Sequence, residues 1–110
     1  FDSRGKYAEA ESLYKKALKI IEISLGPQHP NVAASLYNLA GLCKTRGNFS
    51  EAVTFYKRAL EIRQLTYGNE HKSVVPVLRS LAKLYKSLGQ LNEGQKYSQQ
   101  AKAIQEKHNM

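Results

Sequence analysis

Residues 5–20 read Gly-Lys-Tyr-Ala-Glu-Ala-Glu-Ser-Leu-Tyr-Lys-Lys-Ala-Leu-Lys-Ile, and residues 47–62 read Gly-Asn-Phe-Ser-Glu-Ala-Val-Thr-Phe-Tyr-Lys-Arg-Ala-Leu-Glu-Ile. The two stretches lie 42 residues apart and share Glu9/Glu51, Ala10/Ala52, Tyr14/Tyr56, Ala17/Ala59, Leu18/Leu60 and Ile20/Ile62. The same offset continues downstream through Gly26/Gly68, His29/His71, Val32/Val74, Leu36/Leu78, Leu39/Leu81, Ala40/Ala82 and Leu42/Leu84. A third copy opens at Gly89 and runs for one helix. Self-similarity at one fixed offset marks a repeat architecture.

Inside each copy the apolar residues follow a helical period. Leu36, Leu39, Ala40 and Cys43 stand at i, i+3, i+4 and i+7, and Leu78, Leu81, Ala82 and Tyr85 repeat that stripe. Ala52, Tyr56, Ala59 and Arg63 line one side of the following helix, beside Phe49, Val53 and Leu60. Gly5, Gly47 and Gly89 read as left-handed residues between two helices. Asn31 and Ser73 read as N-caps, and Pro30 and Pro76 lie near helix starts. Gly26-Pro27-Gln28-His29-Pro30 reads as an inter-unit loop. The pattern predicts five helices and no strand, over roughly residues 6–25, 31–46, 49–67, 73–88 and 91–108. Small residues on facing helices, Ala40 and Ala82 against Ala52 and Ala59, predict antiparallel pairs in close approach, with Tyr56 filling the space beside them.

The order Leu78, Leu81-Ala82, Tyr85, Gly89, and its continuation Gly47, Ala52, Tyr56, Ala59, resembles the tetratricopeptide repeat. That unit is usually ~34 residues; here each helix is longer by about one turn, and Gln64 stands where a proline usually ends the second helix. The run from Leu25 to Ala40, with Gly26, His29, Pro30, Val32, Leu36 and Asn38, looks like the kinesin light chain subtype, as does Gly47 to Ile62. The resemblance implies an all-α, right-handed superhelical solenoid of antiparallel helix pairs that serves as a protein-interaction scaffold.

With 110 residues the chain suits one small domain. No apolar run is long enough for a membrane span, so no membrane partner is expected. The single cysteine, Cys43, cannot close an internal disulfide, and a cytoplasmic setting is the default. Lysine and arginine outnumber acids 17 to 9, a net charge of +8 that favours acidic partners. The layout by repeat is residues 1–4 as the end of an incomplete first helix, 5–46 and 47–88 as full units, and 89–110 as a capping helix. Phe1 falls at the position of Cys43 and Tyr85. Helix 6–25 is apolar on more than one side, through Tyr7, Leu13, Tyr14, Leu18, Ile20, Ile21 and Ile23, so self-association through this end is open. The last helix replaces Val53 by Gln95, Tyr56 by Ser98 and Leu60 by Lys102, keeps one stripe near Leu91, Tyr97, Ala101 and Ile104, and reads as a polar cap.

In the resembled family the first helix of each unit lines the concave surface. Residues opposite the core stripe are then Ala34, Tyr37, Asn38, Gly41, Lys44 and Thr45 in one unit, and Pro76, Arg79, Ser80, Lys83, Lys86 and Ser87 in the next. Tyr37, Asn38, Gly41, Lys44, Arg79, Ser80, Lys83 and Lys86 are the expected peptide-binding residues, with Arg79, Lys83 and Lys86 as a basic strip. Asn38 matches an asparagine that the family uses to hold a peptide backbone; its counterpart Ser80 is shorter. The lysine–asparagine carboxylate clamp of some tetratricopeptide domains is not reproduced, because Tyr37 and Gly41 occupy its positions.

Other signals read as structural. His29 and His71 sit in matching loops too far apart to share a metal, and tie a loop to a helix end. His108 reads as solvated. Cys43 reads as a small apolar core residue, with no His–acid arrangement to activate it. Tyr14, Tyr56 and Tyr85 take packing positions, leaving Tyr37 as a contact aromatic. No cofactor and no catalytic activity are expected. The leading function is binding an extended acidic or polar protein segment, motor-cargo adaptor work being one form. Nucleic-acid binding by a basic helical repeat is the second reading, against which stands the lack of aromatics interleaved with the basic residues. An architectural self-association role is the third possibility.

Overall fold

The helices joined by the turns at Gly47 and Gly89 pair as hairpins, and the hairpins stack side by side. The computed structural model describes residues 3–109 and contains α1 (Ser3–Leu25), α2 (Pro30–Thr45), α3 (Phe49–Tyr67), α4 (Val75–Ser87) and α5 (Leu91–His108), with a short 3-10 turn at Lys72–Val74. No strand occurs among the described residues. The molecule measures 46 × 35 × 20 Å, a slab one layer of hairpins thick. Phe1, placed by the repeat at the end of an earlier helix, lies outside the described residues.

The predicted stripes form the core. Leu36, Leu39, Ala40, Cys43, Ala52 and Ala59 are fully buried, as are Leu78, Leu81, Ala82, Tyr56 and Tyr85 to within a few per cent. How closely the helices approach is shown at Gly94, the counterpart of Ala52. A Cβ built there would stand 2.9 Å from the Ala82 carbonyl oxygen, so α4 and α5 meet backbone to backbone with no room for a methyl group.

Gly47 and Gly89 make the tight turns, with φ of 85° and 81°. The Gly47 N–H donates to the Lys44 carbonyl and the Asn48 N–H to Cys43; Gly89 and Gln90 donate likewise to Lys86 and Tyr85. These are Schellman turns, which satisfy the last helical carbonyls. Gly5 departs from the prediction: it lies inside α1, which begins at Ser3. A Schellman turn needs the carbonyls of a helix before it, and Ser3 and Arg4 already belong to α1.

The predicted N-caps Asn31 and Ser73 are also corrected. The capping side chains belong to His29 and His71, whose Nδ1 atoms accept the N–H of Asn31 at 3.1 Å and of Ser73 at 3.0 Å. Both histidines therefore tie loop to helix. His71 also stacks on Tyr67, centroids 4.8 Å apart. The fourth helix starts at Val75, not residue 73. Pro76 has no N–H to give the Lys72 carbonyl, so Val75 donates there instead and the segment winds as a 3-10 turn.

On α1, Leu18 is buried, but Tyr14 is 39% exposed and Ile20 64% exposed. Tyr14 thus departs from the expected packing role. Its counterpart Tyr56 is buried because α2 lies over that face of α3; no described helix lies over it on α1. In α5, Gly94, Ala101 and Ile104 are buried and Tyr97 stacks on Tyr85, whereas Leu91, predicted in the stripe, is exposed at its first turn. His108, predicted to be solvated, is exposed but its Nε2 lies 3.0 Å from the Glu70 carbonyl oxygen.

Among the described residues one carboxylate is buried. Glu11 accepts from Cys43 Sγ at 3.4 Å and from Arg46 at 2.9 Å, with Lys15 Nζ at 3.5 Å. Burial alone would raise its pKa, but the Cys43 thiol, Lys15 and Arg46 outweigh that and hold it below the ordinary 4.5.

Two predictions follow from this packing. Ala40→Leu inserts methylenes where two helices already touch, and should cost about 1–3 kcal/mol in urea unfolding; an unchanged midpoint would refute the close-packed hairpin. Because the folded pKa of Glu11 is depressed, its stabilisation is present above the unfolded value and lost as pH falls through the folded one. The stability difference between the native chain and Glu11→Gln should therefore hold from neutral pH down to the ordinary carboxyl value of 4.5 and shrink below it. Thermal melts checking this should not show a constant difference.

Candidate peptide-binding groove

Arg79, Lys83 and Lys86 stand at i, i+4 and i+7 of α4, so one helix face presents all three. The opposite face carries Leu78, Leu81, Leu84 and Tyr85 and is buried. The strong segregation of apolar and charged residues on this helix leaves the cations one direction to point.

They open into a depression of about 610 Å³. Its sides are Tyr37, Arg79, Ser80, Lys83, Lys86 and Ser98, over an apolar floor from Val75, Pro76 and Ala82. Five of the eight predicted residues therefore come together. Asn38 is exposed but lies outside this depression. Gly41 is half-buried, with the Tyr56 hydroxyl 3.8 Å from where a Cβ would be, and Lys44 is half-buried on the last turn of α2. A second hollow of about 440 Å³ shares Val75, Pro76 and Arg79 and extends to Lys72, Gln105 and His108. The two run together along α4 around Arg79.

Tyr37 is held more firmly than a free contact aromatic. Its ring meets Tyr56 edge-on at 5.5 Å, the Arg63 guanidinium lies 5.4 Å from its centroid, and its hydroxyl is 3.2 Å from Ser80 Oγ. This last bond ties α2 to α4 on the groove side. Burial raises the Tyr56 pKa, a hydrogen bond with Ser80 working against it. Tyr56 stays a neutral wall beneath Tyr37.

Four cations outside the strip are held in ion pairs. Lys15 lies 3.5 and 3.4 Å from Glu11 and Glu51, Arg46 is 2.9 Å from Glu11, Arg58 is 2.7 Å from Glu22, and Lys107 is 2.6 Å from Glu70. Arg79, Lys83 and Lys86 have no carboxylate partner among the described residues, and no carboxylate lines either hollow. Arg79 donates to the Gln105 side-chain oxygen and Lys86 to Ser98 Oγ at 3.2 Å. Both partners are neutral.

Ser98 and Gly94 were not among the predicted site residues. The signal was present in the repeat: counted back by one unit they fall on Tyr56 and Ala52, so both are places where the third copy becomes smaller. Cys43 offers no chemistry here. Burial, then the neighbouring Glu11, pushes its thiol up to about 12, so it stays protonated.

A family model described as tetratricopeptide repeat matches residues 3–64 and again 46–107. No curated protein is similar enough in sequence to be counted a relative. Among solved structures, BtubC (BKLC) from P. vanneervenii is 30% identical with a TM-score of 0.88, the match covering 94% of this chain and 41% of that one. A kinesin light chain candidate with nearly identical TPR-like repeats, from Podosopora anserina, is 30% identical with a TM-score of 0.84, covering 96% of this chain and 50% of the other. The chain thus spans about two fifths to half the length of these neighbours. No described helix is long and apolar enough to cross a membrane. Tetratricopeptide repeats mediate protein–protein interaction on a scaffold of non-enzymatic type. With its hairpins, its 42-residue period and these neighbours, the chain belongs to the tetratricopeptide-repeat family and is of the kinesin light chain-like type.

Proposed function

We propose that this module holds an extended acidic segment of a partner protein along α4. The observation that carries the reading is the hollow beside α4, where three cations stand on one helix face with no carboxylate in its lining. Exposed charges contribute little one at a time, but aligned charges of one sign attract and orient a partner of the other. The apolar floor from Val75, Pro76 and Ala82 gives such a segment a surface to lie on, and Tyr37 supplies a fixed aromatic edge.

Adaptor work in the cytoplasm is the form of this function that the kinesin light chain-like neighbours favour. In the same reading α5 has the polar outer face of a cap, since Gln95 and Lys102 are exposed where α3 carries Val53 and Leu60. Nucleic-acid binding is disfavoured by Tyr37, the aromatic of the groove, whose ring already packs against Tyr56 and Arg63.

The test is fluorescence anisotropy with a labelled glutamate-rich peptide. Arg79→Glu combined with Lys83→Glu should weaken binding about tenfold or more and flatten its dependence on salt. Equal affinity and equal salt dependence in the double variant would end the reading. Single-stranded RNA at physiological salt should show no gel shift; a shift abolished by the same double variant would replace the peptide with a nucleic acid.

A further inference from the structure

Lys86 does not extend into solvent like an ordinary surface lysine. A Cβ at Gly94 would stand 2.6 Å from Lys86 Cγ and 3.3 Å from its backbone nitrogen. The lysine stem therefore lies across α5 in the space the glycine leaves. Its ammonium then reaches Ser98 Oγ at 3.2 Å. One repeat earlier the matching positions hold Lys44, Ala52 and Tyr56. Two shortened side chains, alanine to glycine and tyrosine to serine, open the path that Lys86 takes.

The neighbouring positions change in the same direction. Arg79 stands where the preceding unit has Tyr37, and Lys83 where it has Gly41. One hairpin thus presents a neutral wall of Tyr37 and Tyr56. The next presents three cations on successive turns, with the hydroxyls of Ser80, Ser98 and Tyr37 around the same hollow. Like charges at this spacing repel one another, and nothing among the described residues offsets them with a carboxylate.

We propose that Arg79, Lys83 and Lys86, together with the Ser98 hydroxyl, form a subsite for a phosphate monoester, so that the segment held along α4 carries a phosphorylated serine or threonine. The inference rests on the acidic-segment reading and narrows it. A carboxylate brings one negative charge and two oxygens. A phosphate monoester brings a charge of about −1.5 to −2 and three strong acceptor oxygens, which suits a strip of cations with a hydroxyl beside it. Gly94 acts as a positioning residue, since the space it leaves sets the path of Lys86; Ser98 Oγ accepts from the Lys86 ammonium and has its own proton to donate. The charge-assisted bonds from such a cluster are the strong class of hydrogen bond.

Backbone amide NMR of the full chain tests this with two probes, O-phospho-L-serine and glutamate. Phosphoserine should shift the amides of Lys83, Lys86, Gly94 and Ser98 saturably, with half-saturation about tenfold below that of glutamate. Ser98→Tyr restores the residue of the preceding unit and should remove that preference. Lys86→Gln is the second variant, leaves the helix packing intact and should do the same. If phosphoserine and glutamate act alike along α4, or if both variants keep the preference, the monoester subsite is overturned while the acidic-segment reading stands. If neither probe moves α4 and the glutamate-rich peptide also fails to bind, both fall together.

Discussion

The fold depends on how closely paired helices approach. At the α4–α5 crossing the Ala82 carbonyl oxygen would lie 2.9 Å from a Cβ on Gly94, and one repeat earlier the fully buried Ala40 and Ala52 stand at the same positions. A helical hairpin of this kind cannot bury its apolar faces alone, so it must stack on neighbours. Small residues bring the paired backbones together. Larger ones, Tyr56 above all, then fill the wedge that opens towards the next hairpin. The direction of the α4 cations follows from that, because a helix pressed against its partner and its neighbours has one side left for solvent.

The two ends of the array meet this constraint with different chemistry. Around Cys43, Glu11 is buried and held by Arg46 and Lys15, with Glu51 3.4 Å from Lys15. At the matching positions one repeat later stand Val53, Tyr85, Leu88, Lys57 and Glu93. There the contact is an aromatic stack, Tyr85 on Tyr97 at 5.7 Å, with Lys57 Nζ 5.5 Å from the Tyr85 ring centroid. An ionic cluster and an aromatic cluster thus occupy one structural address. The ionic version depends on a deprotonated Glu11; the aromatic version has no such dependence on acid.

The same alternation governs the surface. Arg63 sits against Tyr37 in one unit, while in the next the cation has moved to the other helix and Arg79 bonds Gln105. The exchange keeps a contact between the two helices in both units. It also places the charge on α4, beside Lys83 and Lys86, where it adds to the strip instead of lying against a ring. Charge in this protein is concentrated by substitution at matching positions of the repeat.

Much of this was legible in the chain itself. The 42-residue offset, the helical stripes and the turns at Gly47 and Gly89 are local patterns, and a helix face is settled by spacing alone, so Arg79, Lys83 and Lys86 could be placed together from residue numbers. What spacing cannot supply is the identity of the partner across a helix–helix contact. Tertiary structure decided that Lys15, Arg46, Arg58 and Lys107 are neutralised and the α4 strip is not, because an ion pair depends on which helices are neighbours. It also decided that Tyr37 is lodged against Tyr56 and that Lys86 crosses Gly94 to Ser98. Each of these is a distance between residues far apart or across a helix end, set by packing and not by the period of any single helix.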